Sequence, residues 1–518
     1  MLICKTHSSL VNNQITRRDF LKLAGLFPLS VALPRVLNSL NNQQGQQNVI
    51  IVVFDAFSAA HISFYGYQRD TTPNIARLAD RAIVYHNHYA GGNFTTPGTA
   101  TILTGTLPWT HRAFEHSGTV SKAFVNKNIF NLFPTYFRIA YTHNSWANEI
   151  LKQFTTSLQD YIPLDTYVHS NQQFIPAFFE NDEDIATVSW TRTINSKDDG
   201  YAYSMFLSHL FGLYQASREA RLKDLLAIYP RGIPDAITDS YYFLEETIDG
   251  LYNVLHNAQQ PFLAYFHLWP PHAPYKTHRE FYGRFRGDDF LPALKPLDSF
   301  AMKDSSSFPL KQMEYDESIL YVDREFGRLF DYLEASGQLK DTWVVLTSDH
   351  GELFERGIKG HNTPVLYEPV AHVPLMIFEP ERNTRMDVHE RTSAIDLLPT
   401  LLHVTGQQQV EWTEGRLLPP YGQTPLDNDR SIYILEASKS AKNSPLTTAT
   451  VALIKGQYKL MYFFGYKELG AAGERIELYD IVNDPEELND LSTSKRETTG
   501  ELLDEIKQKL AEVNAPYL

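Results

Sequence analysis

The chain is almost free of cysteine, with one in 518 residues. A single thiol excludes a disulfide framework, a cysteine-rich zinc site and an iron–sulfur cluster. Basic residues are also in the minority, 46 against 61 acidic ones, which gives a formal net charge of −15. Because a nucleic-acid surface needs a basic footprint, this balance argues against nucleic acid as a partner. Glycine and proline, 27 and 28, are too few for a low-complexity chain, and 43% hydrophobic residues suffice for a sizeable core.

Long apolar runs are missing too, and the uncharged stretch near the N-terminus, Leu23 to Leu33, is short. Residues 1–34 resemble a bacterial twin-arginine export signal, through the run Thr16-Arg17-Arg18-Asp19-Phe20-Leu21-Lys22. Ser30-Val31-Ala32 fits the small-x-small cleavage rule, and Cys4 lies inside this segment. The apolar run is too short to span a bilayer comfortably, so we predict no membrane span unless an uncleaved signal acts as an anchor. Residues 35–47 are interpreted as a polar tether. We therefore expect export to the bacterial periplasm or cell envelope, with the twin-arginine translocation machinery as a partner.

The pattern of the remaining chain predicts an α/β fold of the doubly wound kind. Asn48–Phe54 and Thr342–Thr347 are continuous apolar and β-branched runs, typical of central parallel strands buried on both faces. Residues 261–267 are a third candidate strand, and residues 319–339 show the spacing of a helix with one buried face. In such a sheet, ligands bind beyond the carboxyl ends of the strands.

Composition also suggests a division of the chain into parts. We predict a catalytic domain over residues 48–409, with a mainly helical, aromatic-rich insertion at 150–255. Short strands and turns then predict a small C-terminal α+β subdomain over 410–518. Its last helix is expected to begin at Ser494, because Ser494 and Glu497 have the spacing of a capping box.

Four polar residues stand where strands or turns of the predicted sheet end. They are Asp55, Thr95, Asp349 and His350. Two carboxylates, an imidazole and a hydroxyl at one rim suit a divalent cation, which would acidify the threonine hydroxyl into a usable nucleophile. Taken singly, each has a structural alternative, since an aspartate after a strand is often a helix N-cap.

The motifs that surround these residues resemble the sulfatase family of the alkaline phosphatase superfamily, in matching order from residue 48 to 491. In chain order they are Asp55 with Tyr65-Gly66-Tyr67, Thr95-Thr96-Pro97-Gly98-Thr99, Pro108-Trp109-Thr110-His111, His272-Ala273-Pro274-Tyr275, Ser348-Asp349-His350-Gly351-Glu352, Lys359-Gly360-His361, and Asp396-Leu397-Leu398-Pro399-Thr400. The resemblance implies a sulfatase-like α/β/α sandwich and metal-dependent ester hydrolysis.

Two departures from the family pattern bear on the chemistry. Sulfatases carry a Cys or Ser that is oxidised to formylglycine and is followed four residues later by Arg, whereas this chain has Thr95 and Thr99. Because threonine has a methyl group on Cβ, the same oxidation could not give an aldehyde. The usual pair of aspartates after the first strand is Asp55-Ala56 here, which removes one carboxylate ligand. The remaining set is more similar to the nucleotide pyrophosphatase, phosphonate-ester and headgroup-transferase branches of the superfamily.

The resemblance therefore implies a hydrolase of phosphate monoesters, phosphodiesters or phosphonate esters that works through a covalent Thr95 intermediate. One divalent ion is expected, on Asp55, Thr95, Asp349 and His350, since no Asp-x-x-x-His pattern stands in a suitable place for a second site. The imidazole favours zinc or manganese, with calcium as the alternative.

Four further residues are carried over from the family motifs. His272, His361 and Lys359 are expected to bind the other ester oxygens or to protonate the leaving group. His111 is expected to act near the nucleophile, and its alternative is to orient the loop. For Lys359 the alternative is a solvated surface lysine.

Other functions stay open at this point. One is a sulfatase that acts without formylglycine, and another is a headgroup phosphotransferase. A third is a catalytically silent binding protein that retains the sulfatase fold. The substrate is expected to be a small-molecule or headgroup phospho- or sulfo-ester.

Overall fold

The computed structural model of the chain describes residues 46–170, 205–237, 240–298, 300–301, 308–422 and 429–518. The predicted export segment lies outside these residues, as do residues 35–45 of the predicted tether and residues 171–204 of the predicted insertion.

The strands of the described residues are numbered in chain order. They are β1 (Asn48–Phe54), β2 (Ile83–Tyr89), β3 (Phe137–Thr142), β4 (Asp160–Tyr161), β5 (Val168–Ser170), β6 (Asp235–Ile237), β7 (Ser240–Tyr242), β8 (Phe262–Leu268), β9 (Thr342–Thr347), β10 (Phe354–Glu355), β11 (Ile358–Lys359), β12 (Leu375–Phe378), β13 (Met386–Ser393), β14 (Ile432–Glu436), β15 (Ala449–Lys455), β16 (Tyr458–Phe464) and β17 (Glu474–Asp480).

The α-helices of the same residues are α1 (Pro73–Ala79), α2 (Thr95–Thr104), α3 (Pro108–His111), α4 (Ser145–Gln153), α5 (Met205–Ile228), α6 (Leu244–Asn257), α7 (Phe308–Ala335), α8 (Glu368–Ala371), α9 (Leu397–Val404) and α10 (Arg496–Asn514). None of the described helices has the length and apolar character that crossing a membrane requires.

A mixed sheet with the strand order β13-β2-β12-β9-β1-β8-β3-β4 forms the centre of the fold. Every neighbouring pair is parallel except those made by β12, which is antiparallel to both β2 and β9. The strands β2, β9, β1, β8 and β3 therefore run in one direction, and their carboxyl ends meet at one edge, where doubly wound sheets bind ligands. The predicted doubly wound α/β fold class is confirmed.

The central strands are buried on both faces, because successive side chains point to opposite sides of the sheet. In β1, Ile50 and Val52 pack in the same cluster as Ile319 of α7, whereas Val49 and Ile51 pack on the opposite side. All seven residues of β1 are buried. This double burial is why the sequence of a central strand is continuously apolar rather than alternating.

The C-terminal part forms a four-stranded antiparallel sheet with the order β14-β15-β16-β17. Helix α10 covers it with Leu502, Ile506 and Leu510, which follow one another at intervals of four residues. The predicted capping box is wrong, since α10 begins at Arg496 after Lys495. The Ser494 hydroxyl donates to the carbonyl of Leu491 at 3.2 Å and so does not cap the helix.

A buried ion cluster joins the C-terminal sheet to the loops at the ligand-binding edge. Lys459 of β16 is fully buried and places its ammonium group 2.9 Å from both Glu368 and Glu487. Glu487 also accepts the backbone N–H of Glu368, the first residue of α8, at 2.8 Å. Because a buried charge is costly without partners, these contacts hold the C-terminal sheet and α8 in one arrangement.

Candidate active site

Five parallel strands deliver polar side chains to one point at their carboxyl edge. Asp55 directly follows β1, Asp349 follows β9 by two residues, and His267 is the penultimate residue of β8. Asn144 follows β3, and a short loop from β2 leads to Thr95. All five side chains are buried. The sheet order thus gathers residues that lie up to 294 positions apart in the sequence.

Thr95 is the first residue of α2, and its hydroxyl faces the carboxylates. Oγ1 lies 3.3 Å from Asp55 Oδ2 and 3.4 Å from His350 Nε2. The residue before it, Phe94, has a φ of +60°, an uncommon conformation for a side chain of this size, which turns the chain sharply into the helix. Asn93 supports this turn by accepting the Phe94 N–H and donating to the carbonyl of His361 at 2.7 Å.

A glycine allows α2 to approach the second carboxylate closely. A Cβ atom at Gly98 would lie 2.4 Å from the carbonyl oxygen of Asp349, well inside van der Waals contact. Any larger residue at this position would push the N-terminal turn of α2, and with it Thr95, away from the Asp349 segment.

The buried acceptors of this edge fit a divalent cation. Ligand atoms of Asp55, His267 and Asp349 all lie within 4.8 Å of one another. His267 Nε2 is 3.5 Å from each carboxylate. Asp55 Oδ1, Asp349 Oδ2 and His267 Nε2 have no hydrogen-bond partner among the described residues, although they are buried. Because orphaned buried polar atoms are costly, their convergence is what a metal site requires.

His350 completes the group from the same loop as Asp349. Its Nδ1 lies 2.9 Å from the carbonyl of Gly351 and donates to it, which leaves Nε2 facing the carboxylates at 3.4 Å from Asp55 and 3.6 Å from Asp349. This is the arrangement in which a histidine ligand has its other nitrogen fixed by a backbone carbonyl.

The pKa values at the site show that positive charge is favoured between the carboxylates. Burial alone would lower the pKa of His350, but Asp349 and Asp55 beside it raise it to about 9. Burial raises the pKa of Asp349, and the neighbouring charge of Asp55 adds to that shift. Burial acts in the same direction on Asp55, but His272, His267 and His350 lower its pKa well below the usual range. A cation would satisfy the same demand for positive charge.

The sequence reasoning missed His267 and Asn144. His267 lies in the strand predicted at residues 261–267, and its position at the carboxyl end of that strand was a usable signal. Asn144 lies after β3, which was not predicted. As N-cap of α4, its Oδ1 accepts the N–H groups of Trp146 and Ala147 at 2.7 and 3.2 Å. This leaves its amide nitrogen to donate to Asp55 Oδ2.

His272 and His361 stand beside the carboxylates. Their ring centroids are 4.8 Å apart, and that of His361 is 4.3 Å from His350. His361 Nδ1 lies 3.0 Å from Glu352 Oε1, while its buried Nε2 has no hydrogen-bond partner in the described part of the chain. His272 Nδ1 is 2.6 Å from the carbonyl of Ala273, and burial lowers the pKa of this imidazole.

The structure does not bring His111 or Lys359 into this group. His111 Nε2 lies 3.2 Å from the hydroxyl of Thr101, and its Nδ1 accepts the N–H of Ala113 at 3.1 Å. Burial lowers the pKa of His111 to about 3, so the ring is neutral and both nitrogens are engaged in holding the loop after α2. Lys359 is exposed at the end of β11 and makes no ion pair with a described residue. The catalytic roles expected for these residues stay predictions.

Comparison with known proteins agrees with this geometry. Residues 47–407 match the profile of the family described as Sulfatase. The chain belongs to the sulfatase family. Residues 360–516 also match the profile described as N-sulphoglucosamine sulphohydrolase, C-terminal, which covers the C-terminal sheet and α10. The resemblance predicted from the motifs is confirmed at the level of the family.

Curated relatives of this sulfatase-family chain include both sulfatases and an enzyme of wider description. Choline-sulfatase of Rhizobium meliloti is 23% identical over 483 residues, which cover 87% of this chain and 83% of the relative. The multifunctional alkaline phosphatase superfamily protein PehA of Trinickia caryophylli is 21% identical over 504 residues, covering 86% and 91% of the two chains.

Solved structures show the same fold. Phosphonate monoester hydrolase of Agrobacterium radiobacter superposes with a TM-score of 0.61 at 18% identity, covering 91% of this chain and 96% of that chain. A protein solved with its substrate D-glucosamine-2-N,6-O-disulfate gives a TM-score of 0.64 at 17% identity, covering 90% and 98%. At these identities the likeness shows the fold and leaves the ester class open.

Proposed function

We propose that this sulfatase-family hydrolase cleaves phosphate or phosphonate esters through a covalent intermediate on Thr95. The observation that carries the proposal is the position of the Thr95 hydroxyl, 3.3 Å from Asp55 and 3.4 Å from His350 at the start of α2. A threonine there cannot be oxidised to the aldehyde that sulfatases use, because its Cβ carries a methyl group. Attack at phosphorus, followed by hydrolysis at phosphorus, needs no aldehyde.

Asp55, Asp349 and His267 would hold one divalent cation, with His350 and Thr95 at its margin. Such a cation lowers the pKa of a neighbouring hydroxyl and neutralises charge on an ester oxygen. The two imidazoles favour zinc or manganese over calcium, which prefers oxygen ligands. His267 would supply the third ligand atom of this group, in a chain that has Ala56 rather than a second aspartate after β1.

In the first step, Thr95 Oγ1 forms a bond to phosphorus as the bond from phosphorus to the leaving-group oxygen breaks. The hydroxyl proton passes to Asp55 Oδ2, its acceptor at 3.3 Å. His361 supplies a proton to the leaving oxygen from Nε2. It is suited to this by geometry, because Glu352 holds Nδ1 at 3.0 Å and leaves the buried Nε2 without a hydrogen-bond partner among the described residues; burial alone would raise the pKa of Glu352, but His361 beside it lowers it.

In the second step, water attacks phosphorus and the bond to Thr95 Oγ1 breaks. His272 is suited to accept the proton of this water, since the lowered pKa keeps its ring neutral and Nδ1 donates to Ala273, which leaves Nε2 as an acceptor. Thr95 recovers its proton from Asp55. The proton that His272 took from water passes to His361, whose ring centroid lies 4.8 Å away, and the site then returns to its starting state.

A second candidate is sulfate-ester hydrolysis without formylglycine. It is supported by the match to the N-sulphoglucosamine sulphohydrolase C-terminal profile and by the similarity to choline-sulfatase. In that case attack at sulfur would form a threonine sulfate. Water would then have to release the sulfate without the elimination that an aldehyde hydrate permits.

One panel of 4-nitrophenyl esters separates the candidates. The enzyme is loaded with zinc or manganese and given the sulfate, the phosphate monoester, the phosphodiester and the phenylphosphonate. We expect kcat/KM for one phosphorus ester to exceed that for the sulfate by at least about 100-fold. A quenched reaction should add a phosphoryl or phosphonyl mass to the peptide that contains Thr95, and Thr95→Ala should remove it. A preference for sulfate would overturn the proposal, and no turnover of any ester by the metal-loaded protein would favour the binding role.

We further infer that the chain is exported through the twin-arginine route, because of the motif at residues 16–22. Replacing Arg17 and Arg18 together by lysine should keep the protein in the cytoplasmic fraction of a bacterial host, whereas the parent chain should reach the periplasmic fraction or the envelope. Replacing Lys22 by arginine is the control. Equal export of the twin-lysine variant would contradict this inference.

A further inference from the structure

A cavity of about 610 Å³ lies beside the histidines of the site, and most of the charged side chains that line it are basic. Its lining includes Arg231, Tyr275, Lys276, Lys311, Glu314 and Lys359. We call it the basic pocket. Four cations against one carboxylate in the lining stand out in a chain whose net charge is −15. Its volume is in the range of small-molecule sites.

The partners of these cations show how much positive charge is left over. Lys276 lies 2.6 Å from Asp235, and Lys311 lies 2.6 Å from Glu314. Arg231 lies 3.4 Å from Glu314 and 2.5 Å from Glu317. Four cations therefore face three carboxylates.

Lys359 is the cation in excess, since it has no ion-pair partner within the described ranges. An anion in the pocket would pair with this ammonium group without displacing a carboxylate among the described residues. The ammonium groups of Lys276 and Lys311, each paired with a single acid, have further hydrogen-bond donors to offer.

The basic pocket and the reaction site share a wall. Tyr275 lines the pocket and donates its hydroxyl to Glu352 at 3.2 Å, and Glu352 in turn holds His361 at 3.0 Å. Lys276 follows His272 by four residues, and Lys359 precedes His361 by two. A ligand that extends from these two histidines along the loop of residues 272–276 therefore reaches the cations.

We propose that the basic pocket binds a second anionic group of the substrate, a carboxylate, sulfate or phosphate remote from the ester that is cleaved. This inference rests on the proposed function, because it assigns the substrate class of the same site. The protein then prefers esters that carry an additional negative charge, and Lys359 recognises that charge rather than the ester itself.

The test compares 4-nitrophenyl esters of the class that the enzyme cleaves with counterparts that carry a short, medium or long carboxyalkyl chain on the ring. At least one chain length should raise kcat/KM, and this gain should appear mainly as a lower KM. Lys359→Ala and Lys311→Ala should each cut the ratio of kcat/KM between the charged and the uncharged ester by about tenfold or more, the range for loss of one charge-assisted contact. Lys122→Ala, an exposed lysine elsewhere on the chain, is the control.

The two proposals fail in different ways. If the parent enzyme cleaves the plain ester but shows no preference at any chain length, or if both lysine variants keep the preference, the basic pocket has no such role. If the plain esters are not cleaved, the proposed function fails. Calorimetric titration of Thr95→Ala with the carboxyalkyl esters then tests the pocket alone, and equal affinity for charged and uncharged esters would overturn it. Circular dichroism and the melting temperature show whether each variant is folded.

Discussion

The imidazole of His361 is fixed by Glu352, whose Oε1 lies 3.0 Å from Nδ1. Glu352 is itself buried and accepts the hydroxyl of Tyr275 at 3.2 Å, so its orientation is set from two sides. The consequence is that the ring of His361 is held 4.3 Å from that of His350, centroid to centroid, with Nε2 buried and without a hydrogen-bond partner among the described residues.

Replacing Glu352 by glutamine should therefore lower kcat by about 10-fold to 100-fold, the usual effect of removing a residue that orients a functional side chain. KM should change little, because Glu352 touches His361 rather than the substrate. Steady-state kinetics on the preferred ester measures both. Glu411→Gln, at an exposed glutamate, is the matched control. An unchanged kcat in Glu352→Gln would show that the contact is purely structural.

Thr95 should be essential through its hydroxyl. We expect Thr95→Ala to lower kcat by more than about 1,000-fold and Thr95→Ser to keep measurable activity, since serine retains the nucleophilic oxygen. Thr96→Ala is the matched control, because the neighbouring hydroxyl is also buried and has no hydrogen-bond partner in the described residues. Equal loss in Thr96→Ala would point to a disturbed α2 rather than to a lost nucleophile.

His267 should bind metal as strongly as the carboxylates do. His267→Ala should lower the metal content of the purified protein and weaken its zinc or manganese affinity by at least about 100-fold, more than loss of an outer contact costs. Added metal should raise the melting temperature of the parent chain but not of the variant, since a ligand stabilises only a fold that binds it. His256→Ala, at an exposed histidine, is the control. Full metal loading of His267→Ala would exclude this ligand.

His88 should make the fold sensitive to acid. Burial lowers the pKa of His88 from 6.5 to about 3, so the folded chain keeps the ring neutral while the unfolded chain protonates it. The stability that this provides is complete above pH 6.5 and is lost as the pH falls toward 3, at ~1.4 kcal/mol per pH unit.

Urea unfolding at a series of pH values measures that slope. His88→Gln should lower the slope of the unfolding free energy against pH by the contribution of one proton, ~1.4 kcal/mol per pH unit. This holds even if the variant is less stable at neutral pH because it loses the contact with Thr392 at 2.9 Å. His256→Gln should leave the slope unchanged. Identical slopes for the parent and His88→Gln would refute the assignment.

Much of the fold could be predicted from the sequence, because burial on both faces leaves a continuous apolar run that is visible without a structure. The runs at β1 and β9 match the observed strands, and the strand predicted at residues 261–267 differs by one residue. β3 was missed, since Arg138 interrupts its apolar run and its first two residues are only partly buried. The start of α10 was predicted two residues early, because capping depends on where a hydroxyl points and not on spacing alone.

The sequence by itself determined the family and the limits of the chemistry, since Thr95 cannot become an aldehyde in any fold and Ala56 cannot bind a metal. Only the tertiary structure placed His267 against Asp55 and Asp349, turned Asn144 toward Asp55 and separated Lys359 from the carboxylates. The physical reason is that these contacts follow from the order and direction of neighbouring strands. Strand order is set by packing between residues hundreds of positions apart, which neither periodicity nor spacing along the chain records.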